Sequence, residues 1–163
     1  MINLLFILIV AIVLCFAFVC FYGAPFVPTR KKWAEKALEM VKLGKDDLVV
    51  DLGSGSGTIL KMLSKKGVRS IGYEINPLLW ILSKARFMFV RCTNVKLANF
   101  WAQNLPNDAT VVYVFAVARD AKRLEEYFET QSRKRQFSVI TFGFRLPSKK
   151  NIKQTDGAFL YKF

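Results

Sequence analysis

The sequence predicts an α/β fold, a parallel sheet with helices on both faces, preceded by one N-terminal transmembrane helix. After residue 30, β-branched apolar runs alternate with segments of helical periodicity, which is the pattern of a parallel sheet covered by helices. Before residue 23 the chain has no charged side chain, and all 25 Lys and Arg and all 12 Asp and Glu residues follow Thr29. A length of 163 residues leaves room for one domain and an appendage.

The apolar segment at 1–22 matches the thickness of a bilayer, which about 20 residues of α-helix cross. Its one strongly polar residue, Asn3, lies near one end. A cleaved signal peptide is the alternative, but the segment lacks a preceding Lys or Arg and a clear A-x-A site, and it exceeds the usual apolar core of about 7 to 15 residues. We therefore expect a retained anchor at 1–22, a juxtamembrane segment with the first amphipathic helix at 23–47, and the α/β domain at 48–163.

Three basic residues at 30–32 follow the apolar segment, and no charge precedes it. The positive-inside rule then predicts a single-pass membrane protein with its domain on the cytoplasmic (or matrix-equivalent) face. Cys92 is the one cysteine of the domain and the chain has no histidine, so a disulfide framework, a His-containing triad and a His-ligated metal are excluded.

The net charge of +13 is carried entirely by the part of the chain after the apolar segment. Next to a bilayer, this charge predicts attraction to anionic lipid head groups. Nucleic acid is the less favoured partner, because the charges are dispersed and no nucleic-acid-binding module is recognisable. A basic face that is merely solvated remains open.

Each predicted element has its own local signal. A helix is expected over 31–42, because Thr29 can cap it, Trp33 and Ala37 share an apolar stripe, and Gly44 ends it. The further helices are expected near 58–66, ended by Gly67; over 77–91, capped by Asn76 with Pro77 at its first position; and near 120–131. The strands are expected at 48–52, 69–73, 95–98, 110–115, 137–142 and 158–163, with a long polar loop at 147–156.

The stretch "DLGSGSG" at 51–57 links the first strand to the next helix, where ligands bind in such sheets. Its spacing is G-x-G-x-G, whereas a dinucleotide fingerprint needs glycine at position 58, which is Thr58. The spacing therefore disfavours NAD and favours S-adenosylmethionine, a smaller ligand that needs close backbone approach and an open helix N-terminus.

An acidic residue, Glu74, ends the second predicted strand, where a carboxylate can accept both hydroxyls of a ribose. The alternative for Glu74 is a solvated acid at a strand end, and the alternative for the glycine loop is a turn that simply requires glycine. Asp51 is expected either to contact the methionine ammonium group or to cap the turn. Three residues follow the third strand. The Asn99 amide can bond the adenine amino group, and the rings of Phe100 and Trp101 can stack on adenine or pack in the core. The cofactor-binding candidates are Asp51, Gly53, Ser54, Gly55, Gly57, Glu74, Asn99, Phe100 and Trp101.

Five short motifs along the chain resemble those of the small membrane-anchored seven-β-strand protein lysine N-methyltransferases, whose mitochondrial members modify the c-subunit of ATP synthase and the adenine nucleotide translocase. The motifs are "PFVPT", "VVDLGSGSG", "GYEINP", "NFW" and "VFAV". The resemblance implies a Rossmann-like methyltransferase domain that uses S-adenosylmethionine to methylate a lysine of a membrane protein. The chain departs from the family at Asn99, where relatives often have an acid, and at Ala118 and Arg119, where they tend to have proline and a polar residue.

The residues predict an apolar pocket for the lysine rather than a catalytic base. Transfer to an amine needs a neutral nucleophile held in line, and burial in an apolar pocket disfavours the charged ammonium. Core packing remains the alternative for two of the pocket candidates, Phe115 and Val117. "FAVA" offers no polar acceptor for a planar amide, which argues against a DNA methyltransferase. The pocket candidates are Phe26, Pro28, Thr29, Phe115 and Val117.

Other functions stay open on the sequence alone. A non-catalytic S-adenosylmethionine-binding membrane assembly or regulatory factor would bind the cofactor without methyl transfer. A small-molecule methyltransferase would share the cofactor loop, and a dehydrogenase is disfavoured by Thr58.

Overall fold

The computed structural model describes residues 3–22, 31–133 and 135–163, without the side chains of residues 11 and 15–22. A seven-stranded sheet with the strand order β3-β2-β1-β4-β5-β7-β6 forms the domain. The strands are β1 (Leu48–Leu52), β2 (Arg69–Glu74), β3 (Thr93–Leu97), β4 (Val111–Phe115), β5 (Ser138–Phe142), β6 (Lys153–Thr155) and β7 (Ala158–Lys162). The helices are α1 (Leu4–Tyr22), α2 (Lys31–Glu39), α3 (Thr58–Lys65), α4 (Pro77–Arg86) and α5 (Ala121–Ser132).

The last strand corrects the expectation of a fully parallel sheet. Strands β1 to β5 pair in parallel, whereas β7 is antiparallel to both β5 and β6. The two-residue turn Asp156–Gly157 joins β6 to β7, and so short a connection produces an antiparallel hairpin. β6 was not predicted, because it lies within the polar loop expected at 147–156.

Alternating residues of the central strands face two different helical layers. Val49 and Val111 pack in a cluster with residues of α2 and α3, whereas their neighbours Val50 and Val112 pack in a cluster with α5. A third cluster joins α3 to the segment after α4 and to β3. The predicted helices on both faces are therefore confirmed, with α5 on the face opposite α2 and α3.

The fourth helix is shorter than predicted. The sequence pattern favoured a helix over 77–91, but α4 ends at Arg86 and a turn follows. Phe87 closes the helix and is buried against Leu60 and Val95, so its packing redirects the chain towards β3. Asn76 caps α4 through its side-chain oxygen and Pro77 takes the first position, as predicted.

At the N-terminus, α1 is helical, and its described side chains from Leu4 to Val10 and from Ile12 to Leu14 are exposed. Among the residues that the structure describes, no helix qualifies by length and hydropathy as a membrane span. The transmembrane part of the predicted fold class is therefore not supported by the structure. The expected cap Thr29 lies outside the described residues, and α2 ends at Glu39 instead of residue 42.

Candidate active site

The glycine loop turns the chain sharply between β1 and α3. Gly53, Gly55 and Gly57 have φ angles of 80°, 55° and 81°, in the left-handed region that side chains disfavour. The amides of Gly53 and Ser54 donate to the carbonyl oxygen of Tyr73, at 2.9 and 3.0 Å. These bonds hold the loop against the end of β2, so the predicted glycines and the predicted acid meet at one edge of the sheet.

Two of these glycines face different surroundings. A Cβ atom built on Gly57 would lie 2.6 Å from Phe87 Cε2 and 2.7 Å from Ser83 Oγ, which is closer than packed atoms approach. A Cβ atom built on Gly53 would meet no atom of the described chain within 4 Å. Gly57 is thus required by protein packing, whereas Gly53 borders open space in which a ligand can approach the backbone.

The carboxylate of Glu74 joins the glycine loop to the start of α4. Its Oε2 accepts a hydrogen bond from Gly55 N at 2.6 Å, and its Oε1 accepts one from Asn76 N at 2.7 Å. Burial raises the pKa of Glu74, while the backbone donors oppose that shift. Each oxygen retains a second lone pair, so the carboxylate can bind a ribose hydroxyl while it holds the loop.

Asp51 is the second buried acid of the site, with only 3% of its surface exposed. Burial, and next the negative charge of Glu74, raise its pKa to about 8. In the described part of the chain, its Oδ2 has no hydrogen-bond partner. A carboxylate in this position favours a cationic ligand, since a nearby positive charge would stabilise its ionised form.

The residues present therefore fit S-adenosylmethionine on three observations. A buried carboxyl oxygen of Asp51 has no described partner, the surface at Gly53 is open, and no side chain caps the N-terminus of α3 at Gly57. An ammonium group, a close backbone approach and a carboxylate at a helix N-terminus would satisfy these three features.

The residues after β3 lie beside Glu74 but are engaged in protein contacts. Ala98 N donates to the carbonyl oxygen of Glu74 at 2.9 Å, which places the next residue, Asn99, near the site. The Asn99 side chain accepts from Trp101 N at 3.1 Å and caps a short 3-10 turn at Phe100–Ala102. The predicted contact of Asn99 with adenine stays a prediction.

The aromatic rings of Phe100 and Trp101 pack towards α5. Their centroids are 4.6 Å apart, and the Arg123 guanidinium lies 4.1 Å from the centroid of Trp101. Both rings adjoin the core cluster on this face of the sheet. Of the two roles considered from the sequence, the structure shows packing, and adenine stacking stays a prediction.

The pocket candidates divide between described and undescribed residues. Phe26, Pro28 and Thr29 lie outside the described residues. Phe115 and Val117 are half-buried, at and just after the carboxyl end of β4, and their role in a lysine pocket stays a prediction. The Phe115 ring meets Phe142 edge-on at 5.2 Å, so it has both a packing partner and a partly exposed face.

Residues 51–153 match the family described as the ANTKMT methyltransferase domain. This match covers more than half of the chain and includes the glycine loop, Glu74 and Asn99. The chain belongs to this family. Membership confirms the predicted family, the α/β methyltransferase fold and the predicted cofactor, S-adenosylmethionine.

Individual relatives agree with this assignment. The chain is 30% identical to the ATP synthase C-subunit lysine N-methyltransferase of Xenopus laevis over 112 residues, 66% of this chain and 48% of the relative. It is 41% identical to a protein-lysine N-methyltransferase of Saccharolobus islandicus over 54 residues, 32% of this chain and 34% of the relative. The chain thus spans about half the length of the first of these curated relatives.

A solved structure shares the fold. The RNA methyltransferase from Salinibacter ruber, crystallised with S-adenosyl-L-homocysteine, aligns with a TM-score of 0.75 and 23% sequence identity. The alignment covers 84% of this chain and 92% of that chain. At this identity the likeness concerns the fold alone.

The methyltransferase domain also uses groups that the sequence did not single out. The Tyr73 carbonyl oxygen accepts from the glycine loop, and the Asn76 amide donates to Glu74. The position of Tyr73 at the end of the second predicted strand was the sequence signal for the first of these bonds. The rings of Trp33 and Phe142 form an edge-on pair at 6.5 Å, so Trp33, Phe142 and Phe115 make one aromatic cluster. That cluster joins elements far apart in the chain, so no local pattern announced it.

Proposed function

We propose that this methyltransferase domain transfers methyl groups from S-adenosylmethionine to the side-chain amine of a lysine in a membrane or membrane-proximal protein. The observation that carries the proposal is the family match at 51–153, which spans the complete glycine loop and Glu74. Relatives named for lysine N-methylation support the substrate class.

S-adenosylmethionine supplies a methyl group activated by its sulfonium. The chain's own residues would bind and orient it: Glu74 would accept from the ribose hydroxyls, Asp51 would pair with the ammonium group, and the glycine loop would let the ligand approach the backbone. No histidine is needed, because the attacking lysine has only to reach the methyl group as a neutral amine.

The aromatic cluster at the carboxyl ends of β4 and β5 supports a lysine channel. Trp33, Phe115 and Phe142 form edge-on pairs at 6.5 and 5.2 Å. An amine that enters between such rings leaves water, which lowers its pKa and favours the neutral nucleophile. The rings also pack around the aliphatic stem of the lysine and align it.

The proposed location is a membrane, with residues 1–22 as a single-pass anchor and the domain on the cytoplasmic or matrix-equivalent face. The support is the absence of charge from this segment, the exposed apolar side chains of α1 and the basic run at 30–32. The net charge of +13 favours an anionic lipid surface as a partner. Resistance to alkaline carbonate extraction, with the domain protected from protease in sealed vesicles, is the expected behaviour.

The decisive experiment follows the methyl group. Membranes that lack the protein are incubated with labelled S-adenosylmethionine and purified chain, and the labelled species is digested and sequenced. We expect the label on lysine, sensitive to protease and resistant to ribonuclease. Label in RNA or in a solvent-extracted small molecule would replace the proposed substrate, and cofactor binding without any transfer would indicate a non-catalytic factor.

A further inference from the structure

An exposed apolar surface lies on the outer side of α4 and the turn that follows it. We define the α4 patch as Ile81, Leu82, Met88 and Phe89, whose exposures are 53%, 59%, 67% and 89%. Folded chains rarely leave neighbouring large apolar side chains this exposed without a binding role. The inner side of the same segment is well packed, since Phe87 is buried against Leu60 and Val95.

Basic residues flank the α4 patch along the chain. Lys84, Arg86 and Arg91 are exposed, and none of these three forms an ion pair within the described chain. From residue 52 to residue 107 the sole acidic residue is Glu74, which is buried. This edge of the domain therefore presents apolar side chains within a rim of uncompensated positive charge.

We propose that the α4 patch docks the domain on an anionic lipid bilayer, with its four apolar side chains in the interfacial region and its basic rim at the head groups. Apolar side chains flanked by Lys and Arg are the composition of surfaces that lie in this region. Three of the four apolar side chains are not aromatic, and these fit acyl chains better than they fit RNA, whose protein partners stack bases on aromatic rings. Helix α1, the proposed membrane anchor, contacts α4. The membrane would therefore lie close to the α4 patch.

The docking has a consequence for the active site. In a strand-helix-strand unit the helix runs antiparallel to its strands, so a bilayer along the flank of α4 leaves the carboxyl edge of the sheet uncovered. The glycine loop and Glu74 would then open along the membrane surface. This inference rests on the proposed membrane location, and it adds which face of the domain meets the lipid.

The test measures lipid contact at single positions of the full chain. Cys15, Cys20 and Cys92 are replaced by alanine, and an environment-sensitive fluorophore is attached through Phe89→Cys. The matched control carries the same fluorophore through Glu129→Cys, an exposed position of α5 on the opposite face of the sheet. Both proteins are reconstituted into vesicles of phosphatidylcholine and phosphatidylserine that contain a quencher on the acyl chains.

We expect quenching at position 89 to exceed that at position 129 by about fivefold, and to fall when phosphatidylserine is omitted or salt is raised. The pair Ile81→Glu and Leu82→Glu should abolish the difference, while Thr130→Glu should preserve it. All five positions are exposed, and unchanged thermal unfolding shows that the variants fold.

Equal quenching at positions 89 and 129 in vesicle-bound protein overturns the proposal. In that case, cross-linking of residue 89 to RNA, to a second copy or to the N-terminal segment identifies the true occupant. Methyl transfer to a detergent-solubilised substrate should be unchanged in the Ile81→Glu and Leu82→Glu variant. A failure of docking is therefore separable from a failure of the proposed activity.

Discussion

Asp51 and Glu74 are buried close together, and the fold gives their carboxyl groups different partners. Glu74 receives backbone N–H groups on both oxygens, whereas Asp51 Oδ2 has no described hydrogen-bond partner. The charge of Glu74 adds to burial in raising the pKa of Asp51 to about 8. One acid therefore holds the loop in place, and the other remains ready for a cationic ligand.

Replacement of Glu74 should weaken cofactor binding, because its carboxylate both holds the glycine loop and can accept from the ribose. We expect Glu74→Ala to lower the affinity for S-adenosylmethionine by about tenfold or more, the loss of a charge-assisted contact to two hydroxyls. Glu74→Gln should also bind more weakly, because its amide NH2 would face one of the two backbone donors. Calorimetry on the full chain measures the affinity.

The control for this prediction is Glu129→Gln, which changes the same charge at an exposed position of α5. Equal affinities for the native chain and both Glu74 variants would remove Glu74 from the cofactor site.

Asp51 predicts a pH dependence of stability in the cofactor-free chain. Its pKa is about 8 when folded against a reference value of 3.8, so the folded state retains a proton that the unfolded state releases. The resulting stabilisation is full below about pH 4 and is lost as pH rises towards 8. Asp51→Asn removes this loss, so the excess stability of the variant should grow between about pH 5 and 8. Thermal unfolding at several pH values measures it, and a constant difference would contradict it.

At the scale of elements, the turn between β1 and α3 determines where the domain can bind a ligand. The three glycines of the G-x-G-x-G spacing take left-handed conformations. The amide of Gly53 donates to the Tyr73 carbonyl oxygen and that of Gly55 to the Glu74 carboxylate, while the amide of Gly57 donates to the carbonyl oxygen of Ser54 within the turn. Strand β2, rather than helix α3, therefore holds the turn in place. The same strand ends in Glu74, the acid of the proposed ribose contact.

The two outer glycines of this turn should respond differently to alanine. Both substitutions strain the backbone, but Gly57→Ala also drives a Cβ atom into Phe87 and Ser83. We expect Gly57→Ala to cost about 1 to 3 kcal/mol more in unfolding free energy than Gly53→Ala. Gly53→Ala should instead reduce cofactor affinity, because its Cβ atom projects into open space beside the loop.

Chemical denaturation and calorimetry on the two variants separate these effects. Equal losses of stability, or unchanged cofactor affinity in Gly53→Ala, would contradict the assignment of open space at Gly53 to the ligand.

At the scale of the whole molecule, the proposed anchor limits the reach of the active site. Residues 23–29 separate the apolar segment from the basic run, and an extended chain covers at most about 3.6 Å per residue. The first amphipathic helix therefore starts within about 25 Å of the membrane. Substrate lysines are expected on loops or helix ends near the head groups.

A longer connection should reduce methylation of membrane substrates. A flexible insertion of about 30 residues after Gly23 spans about 30 Å on average and frees the domain from the surface. We expect less labelling of membrane proteins and equal activity towards a solubilised substrate. A length-matched control is an insertion of similar size after Lys150, an exposed position of the loop between β5 and β6. Unchanged membrane labelling, with soluble proteins as the labelled species in both cases, would refute the membrane-proximal substrate.

Local patterns of the sequence determined the elements and the position of the site. Alternation of apolar runs with helical periodicity predicted six of the seven strands near their observed bounds, Asn76 and Pro77 predicted the start of α4, and the glycine spacing predicted the turn between β1 and α3 as the ligand loop. These features depend on residues within one turn or one strand of each other. The position of Glu74 beside the glycine loop was also predictable, because parallel pairing brings the end of the second strand next to the end of the first.

The tertiary structure decided what depends on residues distant in the chain. The reversal of β7, the early end of α4 at buried Phe87, and the packing of Trp101 on Arg123 all follow from contacts between separate elements. Strand order alone brings the carboxyl ends of β4 and β5 together, which creates the aromatic pair Phe115–Phe142. The same packing leaves one side of α4 uncovered. Periodicity indicates that a helix has an apolar face, but only the arrangement of neighbouring elements determines which apolar side chains are buried.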